Sequence, residues 1–215
     1  MDAQQVFIPV GHPNRPGTKL DKLLAVVIHY TANEQPDATA VMNAKYFGRK
    51  FLTIGGNPFE ADGHTPWEYG SAQVIADEKG IALSMPPDEV AWACGDSRIP
   101  QPDGTMAQQP MGKKVFGGRA NHFITSIEIC DNGDWNAAAS NAMQWAVDYI
   151  KSLNCTIDLS GSLDPQNAEV PYQNGVIYVV RHNDITGKIC PKPFVSDQAA
   201  WVDFVTQLAN QVNNV

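Results

Sequence analysis

Nine residues, His182 to Cys190, hold an imidazole (His182), a carboxylate (Asp184), an amine (Lys188) and a thiol (Cys190), with Pro191 directly after them. A catalytic zinc uses this mixture: three protein ligands drawn from His, Cys, Asp or Glu, and a fourth position left for water. Gly187 lets the connecting loop fold back, so that His182 and Cys190 can meet at one ion. Pro191 holds the residue before it extended and thereby fixes the thiol. A third ligand must come from elsewhere, and His29, at the end of the apolar run Leu24 to Ile28, is the best placed. Two neutral imidazoles and one thiolate leave a net charge of about +1, which keeps the ion a useful Lewis acid. Each residue alone has a more ordinary use, as a hydrogen-bonded histidine or a small buried thiol. The combination carries the zinc assignment. Asp184 stays open as a rival ligand, its alternative being a turn or a group that supports the ligands.

The elements that must position these residues follow from the pattern of apolar side chains. Leu24 to Ile28 is a short continuous apolar run, the mark of a strand buried on both faces. Asp37 is placed to cap a helix over Ala38 to Lys50. Residues 54–70, rich in Gly, Pro and acidic groups, are expected to form a loop. Ala72 to Asp77 and Ile81 to Ser84, joined at Glu78-Lys79-Gly80, predict a hairpin. Residues 86–120 are expected to be mostly irregular, which in a compact domain usually signals function. A second strand runs from Ile124 to Cys130. A helix follows over Trp135 to Leu153, with Ala142, Ala146, Tyr149, Ile150 and Leu153 on one face. A third strand, Gly175 to Arg181, ends at His182. Ser196 is placed to cap a last helix whose stripe is Trp201, Phe204, Val205, Leu208 and Val212. Strands alternating with helices predict a single α/β domain over residues 1–215, with a central mixed sheet flanked by helices. Residues 1–24, broken by Pro13, Pro16 and Gly17, are expected to be an extended N-terminal arm. Ligand sites in such folds lie at the carboxyl ends of strands, where His29 and His182 fall.

Composition narrows the function. The 215 residues are 43% apolar, ordinary for a folded domain. No apolar run approaches the roughly 20 residues that span a bilayer. The net charge of -8 speaks against nucleic acid as a partner. The opening MDAQQVFIPVGHPNRPG lacks the basic start and apolar stretch of a secretory signal. The expectation is cytoplasmic accumulation with later release to the site of action, unless a signal has been removed. Cys94, Cys130, Cys155 and Cys190 are widely spaced and make no dense disulfide framework. There is no P-loop, no GxSxG and no HExxH, so the usual nucleotide, serine-hydrolase and thermolysin-like chemistries lack support.

Three segments carry a family resemblance: Val27-Ile-His29-Tyr-Thr-Ala-Asn33, Ser126-Ile-Glu128-Ile-Cys130, and Arg181-His182-Asn-Asp-Ile-Thr-Gly-Lys188-Ile-Cys190-Pro191. Together they resemble the type 2 N-acetylmuramoyl-L-alanine amidases of phage endolysins and bacterial autolysins, which share a fold with peptidoglycan recognition proteins. The likeness runs from about Asn14 to the end of the last helix and is nearest to the enzymes of Gram-positive hosts. It implies a zinc ion on His29, His182 and Cys190, a peptidoglycan substrate, and cleavage of the amide between muramic acid and L-alanine. Metal-assisted amide hydrolysis then uses Glu128 as general base and Lys188, with zinc, as oxyanion stabiliser. Some relatives place a Tyr near the metal; aligning on Gly80 puts Ala72 there, so no phenol is available. Alternation along the strand puts Glu128 and Cys130 on one face, away from Ile127 and Ile129. Cys130 is therefore a rival ligand by position, and the resemblance favours Cys190. A Glu in a buried strand needs a positive partner, which zinc and Lys188 supply; an ordinary salt bridge is its alternative. Thr31 and Asn33 lie close enough after His29 to touch substrate. Trp92 is either a groove residue or a core one. His12, His64 and His122 are expected at the surface. Two further functions stay open: a peptidoglycan receptor without activity, and a zinc peptidase acting on the stem peptide. The chain is expected to work as a monomer.

Overall fold

The computed structural model describes residues 3–94, 109–171 and 173–214. In chain order these form β1 (Ala3–Gln5), β2 (Ala25–Tyr30), α1 (Ala40–Phe47), β3 (Phe51–Ile54), β4 (Asn57–Glu60), β5 (Val74–Asp77), β6 (Gly80–Leu83), α2 (Pro110–Lys114), β7 (Ile124–Ile129), α3 (Trp135–Ser152), β8 (Thr156–Ile157), α4 (Leu159–Leu163), β9 (Val176–Arg181), α5 (His182–Thr186), α6 (Lys192–Ser196) and α7 (Gln198–Asn213). Seven strands make one sheet in the order β1-β6-β5-β7-β2-β9-β8. Only the β5–β6 hairpin is antiparallel, so the sheet is mixed, as expected.

The three central strands explain both the core and the site. β2 and β7 pair in parallel with Ile28 beside Ile127 and His29 beside Glu128. Val26, Ile28, Ile127, Ile129 and Val179 face one layer, where α3 and α7 cover them through Ala142, Trp145, Ile150, Trp201, Phe204 and Leu208. Ala25, Val27, Ile124 and Val180 face the other layer and pack against Met111, Val115, Phe116 and Ile185. His29 and Glu128 follow that second face in parity, so they emerge where its apolar cover ends.

Several expected boundaries move. Thr39, rather than Asp37, caps α1, its hydroxyl accepting from the Met42 N–H. Asp197, rather than Ser196, caps α7 by accepting from the Ala200 N–H; Ser196 closes α6. The α7 stripe is buried as expected, but Leu153 lies past the end of α3 and is exposed. The expected loop over 54–70 contains β4, which pairs with β3 in a two-stranded ribbon turning at Gly55-Gly56. Its residues lack the alternating apolar signal because the ribbon is largely solvent-facing. Of the expected irregular stretch 86–120, residues 95–108 lie outside the described residues.

The arm is also bound into the sheet and partly buried. β1 lies parallel to β6, and the Val6 and Ile8 N–H groups continue that ladder onto Leu83 and Ser84. Ile8, His12, Asn14 and Arg15 are buried, and Arg15 pairs with buried Glu89 at 2.8 Å. The prolines block a helix but do not prevent burial, since the polar groups find partners.

Candidate metal centre and groove

His29 sits one residue from the end of β2, and His182 is the first residue beyond β9. Cys190 returns to them because α5 is a single turn closed by Gly187 at φ 80°, a left-handed conformation suited to glycine. The Cys190–Pro191 bond is cis. One ligand atom from each of His29, His182 and Cys190 falls within 4.8 Å of the others, and all three residues are buried. The Cys190 sulfur is 3.8 Å from His29 Nδ1. His182 Nδ1 is buried with no hydrogen-bond partner among the described residues. An orphaned imidazole nitrogen in such a place is costly unless something absent from the polypeptide meets it.

The protonation states suit a cation. Burial, then His182 and Lys188, hold the His29 imidazole well below its ordinary range. Burial and Lys188 bring His182 down to about 3. Both rings are therefore neutral and offer a lone pair. Burial, followed by the Glu128 carboxylate, pushes the Cys190 thiol up to about 12, so it surrenders its proton only to a strong positive charge. Two neutral imidazoles and one thiol are the donor set that zinc accepts, and a three-ligand set leaves room for water. The residues fit the group.

The rivals are occupied elsewhere. Cys130 shares the face of Glu128 but packs beneath α1 with Ala40, Ala44, Ile75 and Ala82, its sulfur 3.5 Å from Asn43 Nδ2. Both carboxylate oxygens of Asp184 accept from Arg181, which also donates to the Phe194 carbonyl and to Gln198. That network fastens α5, and with it His182, to the underlying layer.

Glu128 lies beside His29 on the neighbouring strand, and its Oε2 is buried with no hydrogen-bond partner among the described residues. Burial pushes its carboxyl up to about 8, opposed by Lys188 and reinforced by Asp131. Lys188 is exposed on the loop after α5, yet its charge is felt at Glu128, His29 and His182. These residues open onto a groove of about 1420 Å³, also lined by Thr31, Tyr46, Arg49, Trp67, Tyr69 and Trp92. That exceeds the roughly 300–1,000 Å³ of a pocket for one small molecule and suits a segment of polymer. Ala72 is buried and does not line it.

A family model described as N-acetylmuramoyl-L-alanine amidase matches residues 20–193. The chain belongs to the N-acetylmuramoyl-L-alanine amidase family. The family's curated members include BlyA of Bacillus subtilis (strain 168), 29% identical over 92% of this chain and 44% of that protein. XlyA of the same organism is 30% identical over 93% of this chain and 48% of its own length. The chain thus spans about half the length of the curated amidases it matches. Among solved structures, a mutant endolysin from Bacillus subtilis shares 25% identity at a TM-score of 0.65, covering 97% of this chain and 99% of that one. The catalytic domain of XlyA shares the fold, with a TM-score of 0.64 at 24% identity over 97% of this chain and 99% of that domain.

The amidase-family match leaves out most of the arm, yet the arm braces the loops that form the groove wall. Asn14 is fully buried: its amide donates to the Phe47 carbonyl, and its Oδ1 accepts from Trp67 Nε1 and the Gly70 N–H. The Asn14 carbonyl accepts from Ser71, and the Pro13 carbonyl accepts from Trp92 Nε1 at 2.8 Å. His12, expected at the surface, is instead buried edge-on against Phe51 and Trp67, and its Nε2 bonds the Arg49 carbonyl. His122 is half-buried beside the groove, and His64 is exposed. The Arg49 guanidinium lies 4.3 Å from the Tyr46 ring centroid and 4.2 Å from that of Trp67, and pairs with Glu60. Trp92 is half-buried and faces the groove, edge-on to Tyr69. Thr31 lines the groove with its hydroxyl donating to Asp131; Asn33 is outside the lining, and its N–H donates to the same carboxylate. Sequence reasoning missed Asp131, Arg49, Trp67 and Cys94. Asp131 had a usable signal, sitting just beyond β7 opposite the residues that follow His29.

Proposed function

We propose that the chain is a zinc-dependent N-acetylmuramoyl-L-alanine amidase of the endolysin or autolysin type. It hydrolyses the amide between N-acetylmuramic acid and L-alanine in peptidoglycan, and its place of action is the cell wall. The observation that carries this is the convergence of His29, His182 and Cys190 beside a buried carboxyl, Glu128, at the floor of a polymer-sized groove. The names of the curated relatives point to the same bond.

His29, His182 and Cys190 hold the ion. When bound, zinc supplies Lewis acidity that brings the pKa of a water toward roughly 7. Glu128 takes a proton from the attacking water at Oε2 and returns it to the leaving L-alanine nitrogen. The Lys188 charge favours the carboxylate that the base requires, against the burial that keeps it protonated. Lys188 places its ammonium near the carbonyl oxygen as negative charge develops there. Thr31 and Trp92, both in the groove lining, contact substrate. Asn33 has its backbone tied to Asp131, and contributes by shaping the loop after His29. The whole chain works as one catalytic domain and as a monomer.

Mass spectrometry of digested peptidoglycan tests the proposal. An amidase frees muramic acid carboxyl groups together with L-alanine amines, and the release stops with a chelator. New termini inside the stem peptide indicate a peptidase instead, and binding without release indicates a receptor.

A further inference from the structure

The His29 ring lies between two sulfurs. Cys190 Sγ is 3.8 Å from its Nδ1, and Cys94 Sγ is 3.7 Å from its Nε2. The two nitrogens of an imidazole point away from one another, so the sulfurs serve different purposes. On the Nδ1 side lies Cys190, which together with His182 makes the set that converges on one point. Cys94 is outside that set. A neutral imidazole carries one N–H and one lone pair. If the Nδ1 lone pair faces a metal, the proton is on Nε2, buried against the Cys94 sulfur.

We propose that Cys94 is a positioning residue for His29, its sulfur accepting the Nε2–H so that the Nδ1 lone pair points at the metal. The inference rests on His29, His182 and Cys190 holding zinc, and it adds the group that fixes one ligand's tautomer and tilt. Metal-bound histidines usually give this hydrogen bond to a carboxylate, a carbonyl or a water. A thiol is a weaker acceptor, but with both residues buried the alternative is an orphaned N–H.

Cys94 is itself held in place. Its backbone N–H donates to Asn121 Oδ1 at 2.7 Å, and the Ala93 N–H donates to the same oxygen at 3.2 Å. Asn121 is buried in the 3-10 turn Ala120–His122 that leads into β7, the strand of Glu128. A chain of contacts therefore runs from Asn121 through Cys94 to His29, tying one ligand to the base of the strand that carries the acid.

Chelator-competition titrations of zinc, combined with long-range proton–nitrogen spectra of the zinc-loaded protein, test this. The wild-type spectrum is expected to show His29 protonated on Nε2. Cys94→Ala should weaken zinc by about ten- to a hundredfold and move the His29 Nε2 signal, leaving His182 in place. Cys94→Ser should recover part of the affinity, because a hydroxyl also accepts. With cobalt in place of zinc, the thiolate charge-transfer band should persist in Cys94→Ser and vanish in Cys190→Ser. Unchanged affinity and an unmoved Nε2 signal in Cys94→Ala overturn the inference while leaving the zinc site intact. So does a charge-transfer band that weakens in Cys94→Ser, which would make Cys94 a direct ligand. If Cys94→Ala does not fold, the wild-type spectrum decides alone: metal on Nε2 overturns the inference. A wild-type protein that binds no metal overturns the zinc reading itself.

Discussion

His29 and Glu128 stand on adjacent strands, His182 directly follows the next strand over, and Cys190 returns to them across one turn of helix. Tyr46, Arg49, Trp67, Tyr69 and Trp92 stand on no common element; they are gathered by the N-terminal arm, chiefly through Asn14, whose partners are up to 57 residues away. The metal end of the sheet is thus set by strand register, and the groove wall by a few buried polar bonds between distant loops. A register error would have to move a whole strand with its core side chains, whereas the loss of one amide would let the wall relax. The two regions should therefore respond differently to mutation, the first in chemistry and the second in binding and stability.

The largest effect expected on the metal side is from Glu128→Ala. Turnover should fall by roughly two to four orders of magnitude, the usual size of a general-base contribution, with zinc and wall binding retained. Near-normal turnover in that variant would place the base elsewhere. Lys188→Ala should cost about a hundredfold in kcat, as loss of one oxyanion-stabilising group does. Because Lys188 is exposed and outside the ligand set, metal content should not change.

On the groove side, Asn14→Ala should leave the metal in place. It strips Trp67 Nε1, the Gly70 N–H and the Phe47 carbonyl of their partner. KM should rise with kcat little changed, the pattern of lost ground-state binding. Stability should fall by about 2 kcal/mol, the scale of leaving buried polar groups unsatisfied. If kcat collapses along with metal content, the two regions are not separable as described.

A smaller effect concerns pH. The folded protein holds the Glu128 proton up to about 8, against an ordinary 4.5 in the unfolded chain. The unfolded state therefore releases this proton first, and the metal-free protein loses stability as pH rises through that window. Glu128→Gln removes the loss, so its stability advantage over wild type should grow from acid to about pH 8 and be absent below about pH 4. Denaturant unfolding of both metal-free proteins across that range measures it; a constant difference would mean that Glu128 is not held protonated by burial.

The contrast between the regions also explains what the sequence disclosed. The runs ending at His29 and Arg181 are continuously apolar, the one ending at Cys130 keeps Ile at 124, 127 and 129, and side-chain alternation then determines which residues share a face. Alternation alone left Cys130 level with Glu128. It could not show that α1 roofs that end of the face, because α1 reaches it from another part of the chain. The α7 stripe was legible for the same local reason: five apolar residues at helical spacing. His12 and Asn14 were illegible, since polar residues between prolines carry no periodic signal, and only their partners at Phe47, Arg49, Trp67 and Gly70 reveal their burial. Cys94 was hidden likewise, its meaning lying in a contact across 65 residues.

In the proposed function, His29, His182 and Cys190, and not Cys130, hold one zinc ion. Elemental analysis of purified wild type, Cys190→Ser and Cys130→Ser tests it most directly. About one zinc per chain is expected in wild type and in Cys130→Ser, and none in Cys190→Ser, as for a three-ligand catalytic site. A wild-type protein that is active with no transition metal, or a Cys130→Ser variant that loses zinc while Cys190→Ser keeps it, would contradict it.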